Sequence, residues 1–284
     1  MDIKTFLILG GYGNVGRVLT RLLLQETNVR LVLAGRNFEK AKAAADQFNN
    51  LFEGNRVTGM YADASDLEDL RQIFKGVDFV VVASSTAKYT KEIARTALEA
   101  GCDYIDIHFG PKIYATLHSL AEAIKNAERC FITGGGFHPG LPAALIRYAG
   151  QYFNRMEKAI VGGVMNVEFR NYESSESTII EFVEEVVDFQ PFFYKNGKWR
   201  KINIMSTKDL VVMDFEGEFG KRQCTPLFFE ELREIPVIFP TLNQTGFYMA
   251  GFNWFIDYFV FPFIFISLKL FPKILIKPMS KLMK

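Results

Sequence analysis

Cysteine is scarce in this sequence, and what there is does not pair: Cys102, Cys130 and Cys224 are odd in number and show no C-x-x-C or Cys/His spacing. Neither a disulfide framework nor a zinc site is supported by that pattern, and a reducing, cytoplasmic setting is expected. An excess of charge of one sign is lacking too. Against 33 Lys and Arg stand 32 Asp and Glu, a net charge of +1, so nothing calls for nucleic acid or a strongly acidic partner. The first residues carry no apolar run of signal-peptide length before glycines interrupt at Gly10, and no export is expected. Histidine is limited to positions 108, 118 and 138, which shortens the roll of side chains that titrate near neutral pH. Phenylalanine is the exception to this poverty, with 28 residues that crowd the last third of the chain.

What is present begins with a short apolar run, Thr5 to Leu9, followed by Gly10-Gly11-Tyr12-Gly13-Asn14-Val15-Gly16 and then Val15, Val18, Leu19, Leu22 and Leu23 at helical spacing. A second apolar run, Val29 to Ala34, follows and stops at Gly35-Arg36-Asn37. Strand, turn, helix, strand is the setting in which Gly11-x-Gly13-x-x-Gly16 has a physical task at each glycine. Gly11 permits a tight turn, Gly13 lets backbone approach a pyrophosphate, and Gly16 lets helix pack close to strand, while the free N–H groups of the helix start face the phosphates. Gly11, Tyr12, Gly13, Asn14, Val15 and Gly16 are therefore the expected cofactor-binding turn.

The alternation continues with strands at 57–62, 78–83, 102–107 and 130–133. Helices are expected from a capping box at Ser65-Asp66-Leu67-Glu68 to Phe74, over 88–100 with Gly101 as stop, and over 113–128. Strand and helix in strict turn predict a doubly wound parallel sheet of Rossmann type over residues 1–150. Ligands of such sheets lie beyond the carboxyl ends of the strands, which selects Asp63, Ala83, Ser84, Ser85 and His108 as crevice candidates. For Asp63 the competing role is a cap before a helix. Where an NAD site would place an acid, at the end of the second strand, the sequence has Arg36. A guanidinium there can grip a 2′-phosphate with two parallel hydrogen bonds, so NADP(H) is the expected cofactor; the competing reading is a solvated arginine.

From Lys158 the pattern changes to a strand over 159–167, a helix over 177–187 and a hairpin turning at Asn196-Gly197. This reads as an α+β substrate domain, 151–246, preceded by the glycine loop Gly134 to Gly140 and a helix with Pro142 near its start. Several stretches together resemble the saccharopine dehydrogenase-like oxidoreductases. They are Leu9 to Gly16, Leu33-Ala34-Gly35-Arg36-Asn37, Tyr104-Ile105-Asp106, Gly136-Phe137-His138-Pro139-Gly140 and Tyr194 to Trp199. The resemblance implies an NADP-binding unit with an inserted, mostly β substrate domain, and hydride transfer to or from an imine or carbonyl of a small, often amino-acid-derived substrate. One departure is that members continue past the substrate domain and return to the nucleotide domain, whereas this sequence stops at Lys284.

Residues 247–284 form an apolar and basic C-terminal segment, expected to be helical. Its longest uncharged run, Tyr258 to Leu268, is shorter than the roughly 20 residues a membrane-spanning helix needs. Lys269, Lys273, Lys277 and Lys281 recur every four residues, a pattern suited to an anionic membrane surface through 252–284, or to the solvated edge of a core or homodimer helix. Two functions remain open: an NADP(H)-dependent oxidoreductase, and a non-catalytic NADP(H)-binding redox sensor docked to a membrane or partner. An enzyme requires a proton donor, and His138, His108 and Asp106 are the candidates, each with a structural role as the competing reading. His118 is expected to be structural or exposed, and Arg170 is a weaker candidate for anchoring a carboxylate.

Overall fold

The computed structural model describes residues 3–164, 192–202 and 210–251, together with Phe259, Phe263, Ile266 and Ser267. The chain divides into two compact units, Met1–Gly136 and Phe137–Lys284.

In the first unit the apolar runs form β1 (Thr5–Leu9), β2 (Arg30–Gly35), β3 (Val57–Tyr61), β4 (Phe79–Val82), β5 (Asp103–Asp106) and β6 (Phe131–Ile132). They pair in the order β3-β2-β1-β4-β5-β6, every pair parallel. That is a doubly wound order, with its reversal between β1 and β4, where such sheets bind ligands. Alternation along β1 explains the two cores. Leu7 and Leu9 join Leu70, Phe74, Val80, Ile93, Ala97 and Tyr104 on one face, while Ile8 joins Leu24, Leu33, Ala44, Phe48 and Val81 on the other. Helices α1 (Asn14–Glu26) and α2 (Phe38–Leu51) supply the second cluster. Helices α3 (Leu67–Ile73), α4 (Thr90–Glu99) and α5 (Pro111–His118) supply the first.

Three local readings change. Helix α2 does not emerge from the hydrophobic pattern, because its buried stripe is Ala41, Ala44, Ala45 and Phe48, and alanine contrasts weakly with polar neighbours. The cap of α3 is Asp66, which accepts from the N–H groups of Glu68 and Asp69, so the box begins one residue later than Ser65. The helix expected over 113–128 is two helices, α5 and α6 (Ala121–Asn126). At the break, the Ser119 hydroxyl donates to the Thr116 carbonyl, a local bond of the kind that competes with helix continuation.

The second unit opens with α7 (Leu141–Ala149), and its described residues are otherwise mostly sheet: β7 (Lys158–Gly163), β8 (Phe192–Lys195), β9 (Lys198–Lys201), β10 (Val211–Asp214), β11 (Lys221–Leu227) and β12 (Gln244–Ala250). Strand β12 is its centre. It pairs in parallel with β7 and antiparallel with both β11 and β8. The β8–β9 hairpin turns through Asn196 and Gly197, both at positive φ (53° and 73°), as a two-residue turn of matching twist requires. Phe247 to Ala250, assigned to the C-terminal segment by their apolar character, complete β12. The strand expected over 159–167 is seen to Gly163; the helix expected over 177–187, Arg170 and nearly all of 252–284 lie outside the described residues. Among the described residues, no helix is long and apolar enough to cross a membrane.

Candidate functional site

At the end of β1 the chain turns sharply through Gly10, whose φ is +86°. The left-handed residue is thus Gly10 and not Gly11. Gly11 is required for a different reason, since a Cβ there would lie 2.8 Å from the Leu33 Cα. Gly13 donates to the Gly10 carbonyl at 2.9 Å and serves as the N-cap of α1. No side chain caps that helix, and its first turn holds no acidic residue. The first-turn N–H groups of Asn14, Val15 and Gly16 therefore meet no protein carboxylate, and the positive end of the helix is left for an anion. Gly16 makes the arrangement compact, because a Cβ at that position would come within 2.3 Å of the Gly10 oxygen.

Beside this turn lies the end of β2. The Tyr12 ring covers Gly35, and its hydroxyl accepts a hydrogen bond from the Asn37 N–H at 3.2 Å. Asn37 in turn caps α2 by accepting from the Lys40 N–H. Arg36 sits between these two fixed points with its side chain exposed, at the strand end where no acid is present. Asp63, after β3, accepts from the backbone and hydroxyl of Ser65. Those two bonds, and then the positive charges of Arg36 and Lys88, hold its carboxyl below the usual range. The turn-forming role of Asp63 is thus observed, and the carboxylate also belongs to the charged rim that contains Arg36.

Across the switch point, the residues after β4 pack on the glycine turn: a Cβ on Gly10 would meet the Ala83 carbonyl at 2.6 Å and the Ser84 Cβ at 2.8 Å. Ser84 bonds Thr86 through its hydroxyl at 3.1 Å, and its carbonyl lies 2.9 Å from His108 Nε2. The structure thereby brings Ala83, Ser84, Ser85 and His108 to one end of the sheet. His108 is buried, with Nδ1 at 3.5 Å from the Thr90 hydroxyl. Both ring nitrogens are engaged with the protein, so His108 ties the loop after β4 to the loop after β5.

Asp106 is wholly buried and accepts four hydrogen bonds: from the Tyr104 hydroxyl at 2.8 Å, the Thr133 hydroxyl at 2.9 Å, the His108 N–H at 3.1 Å and the Gly134 N–H at 3.2 Å. Three of these bonds fall on Oδ1 and one on Oδ2, so both oxygens of the carboxylate are tied to the surrounding structure. The catalytic expectation for Asp106 gives way to a joint that fastens the ends of β5 and β6. Burial, and then the Asp106 charge, push the Tyr104 hydroxyl well above its ordinary pKa. His118 ends α5, exposed and stacked on Tyr114 at 5.7 Å.

His138 belongs to the second unit. Its ring is half-buried, 5.1 Å from Phe137 and 5.9 Å from both Phe229 and Phe247. Burial lowers its pKa, so the ring is predominantly neutral at pH 7. Two residues on, the Gly140 N–H donates to Glu231 at 2.7 Å. Sequence reasoning passed over Glu231 as a partner of this loop, and no local signal could have found it, because the two residues are 91 positions apart. The three cysteines are free, and the described residues contain no cluster of three or more His, Cys, Asp or Glu able to hold a metal.

Comparison with known proteins gives one family match, to the first unit of the chain. Residues 6–132 match the family model of the saccharopine dehydrogenase NADP binding domain. Among solved structures, apo saccharopine dehydrogenase (L-Glu forming) from Saccharomyces cerevisiae is similar over 89% of this chain, with a TM-score of 0.64 and 16% identity. The chain spans 56% of that protein's length. A myo-inositol dehydrogenase from Corynebacterium glutamicum covers 88% of this chain and is covered over 68% of its own, with a TM-score of 0.46 and 12% identity. No curated protein sequence matches significantly.

Proposed function

From the match of residues 6–132 to the family model of the saccharopine dehydrogenase NADP binding domain, we propose that the chain is an NADP(H)-dependent oxidoreductase that passes hydride to or from an imine or carbonyl of a small substrate. The observation that carries the reading is the pairing of two features in the first unit. An uncapped, acid-free helix start follows the Gly10 to Gly16 turn, and Arg36 replaces an acid at the end of β2. The helix start suits a pyrophosphate, common to both nicotinamide cofactors, and the guanidinium suits the 2′-phosphate of one of them. Bound there, the cofactor supplies the hydride chemistry. The protein's share is to fix the phosphates through backbone N–H groups and to select the phosphorylated ribose through Arg36.

Titration calorimetry with NADPH and NADH tests this. A charge-assisted contact contributes roughly 1.5–3 kcal/mol, or about one to two powers of ten in affinity. NADPH is expected to bind more tightly by that factor, and Arg36→Ala to remove most of the difference while leaving NADH affinity unchanged. Equal affinities in the unmodified protein would mean that Arg36 faces solvent and that the cofactor assignment is wrong.

A further inference from the structure

Arg36, on which the choice of cofactor rests, is flanked by two residues that one side chain holds. Its neighbours are Gly35, the last residue of β2, and Asn37, the cap of α2. Tyr12 touches both. Its ring lies so close against Gly35 that a Cβ there would meet Cε1 at 2.7 Å, Oη at 2.8 Å and Cζ at 2.9 Å. Its hydroxyl accepts from the Asn37 N–H at 3.2 Å. Two further bonds fix the same segment: the Gly35 carbonyl accepts from the Ala62 N–H at 3.1 Å, and the Asn37 side chain accepts from the Lys40 N–H at 2.9 Å. The Arg36 side chain is exposed and acts on Asp63 by charge, with no salt bridge to any described residue. Where its guanidinium points therefore follows from the backbone that carries it.

The other end of Tyr12 belongs to the glycine turn. Its main chain stands between Gly11 and Gly13, in a turn closed by the Gly13 N–H to Gly10 carbonyl bond at 2.9 Å and tied to β2 by the Gly10 N–H to Ala34 carbonyl bond at 2.8 Å. Its ring packs on the core cluster of Ile8, Leu24 and Leu33. One residue thus joins the segment that suits a pyrophosphate to the segment that suits a 2′-phosphate. Stability alone gives little reason for the hydroxyl, because its bond is open to solvent and water can take the place of a neutral acceptor there. Water cannot, however, hold the Asn37 N–H at a fixed distance from the glycine turn.

We infer that Tyr12 is a positioning residue for cofactor selection, setting residues 35–37 against the glycine turn so that Arg36 meets the 2′-phosphate while the turn holds the pyrophosphate. This rests on the NADP(H) reading above and adds to it what makes Arg36 effective. A guanidinium that grips a phosphate through two parallel hydrogen bonds needs direction as well as charge. The two phosphate groups of NADP(H) are joined through one ribose, so the gain from the second contact depends on how firmly the protein holds its two ends at the matching separation. NADH has no 2′-phosphate and gains nothing from the link. All of these residues lie in the first unit.

Titration calorimetry with NADPH and NADH on the full-length protein, Tyr12→Phe, Arg36→Ala and the double variant tests the assignment. Tyr12→Phe keeps the ring on Gly35 and loses only the acceptor for Asn37. It is expected to lower NADPH affinity about three- to tenfold and NADH affinity by less than about twofold. With Arg36→Ala already present, the same change should alter NADPH affinity by less than about twofold, because the group that Tyr12 positions is gone. A purely structural Tyr12 would weaken both cofactors alike, and that result overturns the assignment. An equal loss of NADPH affinity with and without Arg36 also overturns it, by placing the hydroxyl on the cofactor itself. If the unmodified protein prefers NADPH and Tyr12→Phe prefers it as strongly, Tyr12 has no such role while the NADP(H) reading stands. If the unmodified protein shows no preference, that reading fails first and the role of Tyr12 falls with it.

Discussion

Asp106→Ala is expected to destabilise the protein by about 3–5 kcal/mol, a large part of the roughly 5–15 kcal/mol that holds a folded domain together. The size follows from what is left behind. Removing the carboxylate strands four donors from Tyr104, Thr133, His108 and Gly134 in a site without solvent access. Each unsatisfied buried donor costs about 1–3 kcal/mol, offset in part by relaxation. Asp106→Asn should be milder, because the amide oxygen can keep the three donors now on Oδ1, and the Tyr104 hydroxyl can turn to accept from the new amine. Tyr104→Phe removes one donor along with its bond, and about 0.5–1.5 kcal/mol is expected. Urea denaturation of the three variants ranks them. If Asp106→Ala shifts stability by less than about 1 kcal/mol, the network is hydrated and Asp106 regains its candidacy as a catalytic group.

The contrast between Asp106 and the glycine turn shows which parts of this molecule a sequence can reveal. The turn is local. A strand, four residues and a helix contain the whole of its geometry, so period and spacing place it to within one residue, the positive φ falling at Gly10 in place of Gly11. Asp106 is legible only in part: alternation along Tyr104-Ile105-Asp106 suggests a buried carboxylate, but two of its four donors come from positions 27 and 28 residues away. The same division runs through the second unit. The β8–β9 hairpin is announced by Asn196-Gly197, whereas β11, with the sequence Lys-Arg-Gln-Cys-Thr-Pro-Leu, has hardly any apolar alternation and is a strand because β10 and β12 flank it. Strand β12 was hidden by its own composition, since Phe247, Tyr248 and Met249 merge with the aromatic residues that follow. Glu231 is the extreme case, an ordinary acid in an acidic stretch until the fold sets it against Gly140.

Two glycines of the turn should respond differently to the same added methyl group, and the difference tests whether the turn binds phosphate. In Gly16→Ala the new Cβ would be 2.3 Å from the Gly10 oxygen and 2.7 Å from the Gly11 Cα. Both are backbone atoms, so α1 must move away from the turn. Overpacking of this kind costs roughly 1–3 kcal/mol, and the movement misaligns the first-turn N–H groups, so NADPH affinity should fall at least tenfold as well. Gly13 has φ of −74° and ψ of 172°, which alanine adopts without strain, and the nearest atom to its Cβ would be the Gly10 oxygen at 3.1 Å. Gly13→Ala is therefore expected to leave stability within about 1 kcal/mol of the parent, with lost freedom in the unfolded chain offsetting the tight contact. Its methyl group nevertheless stands where a pyrophosphate must approach the backbone, so NADPH affinity should fall more than tenfold, or by over about 1.4 kcal/mol. Denaturation and calorimetry on both variants decide the matter: if Gly13→Ala binds NADPH as tightly as the parent, the phosphates do not lie against this turn and the cofactor sits elsewhere.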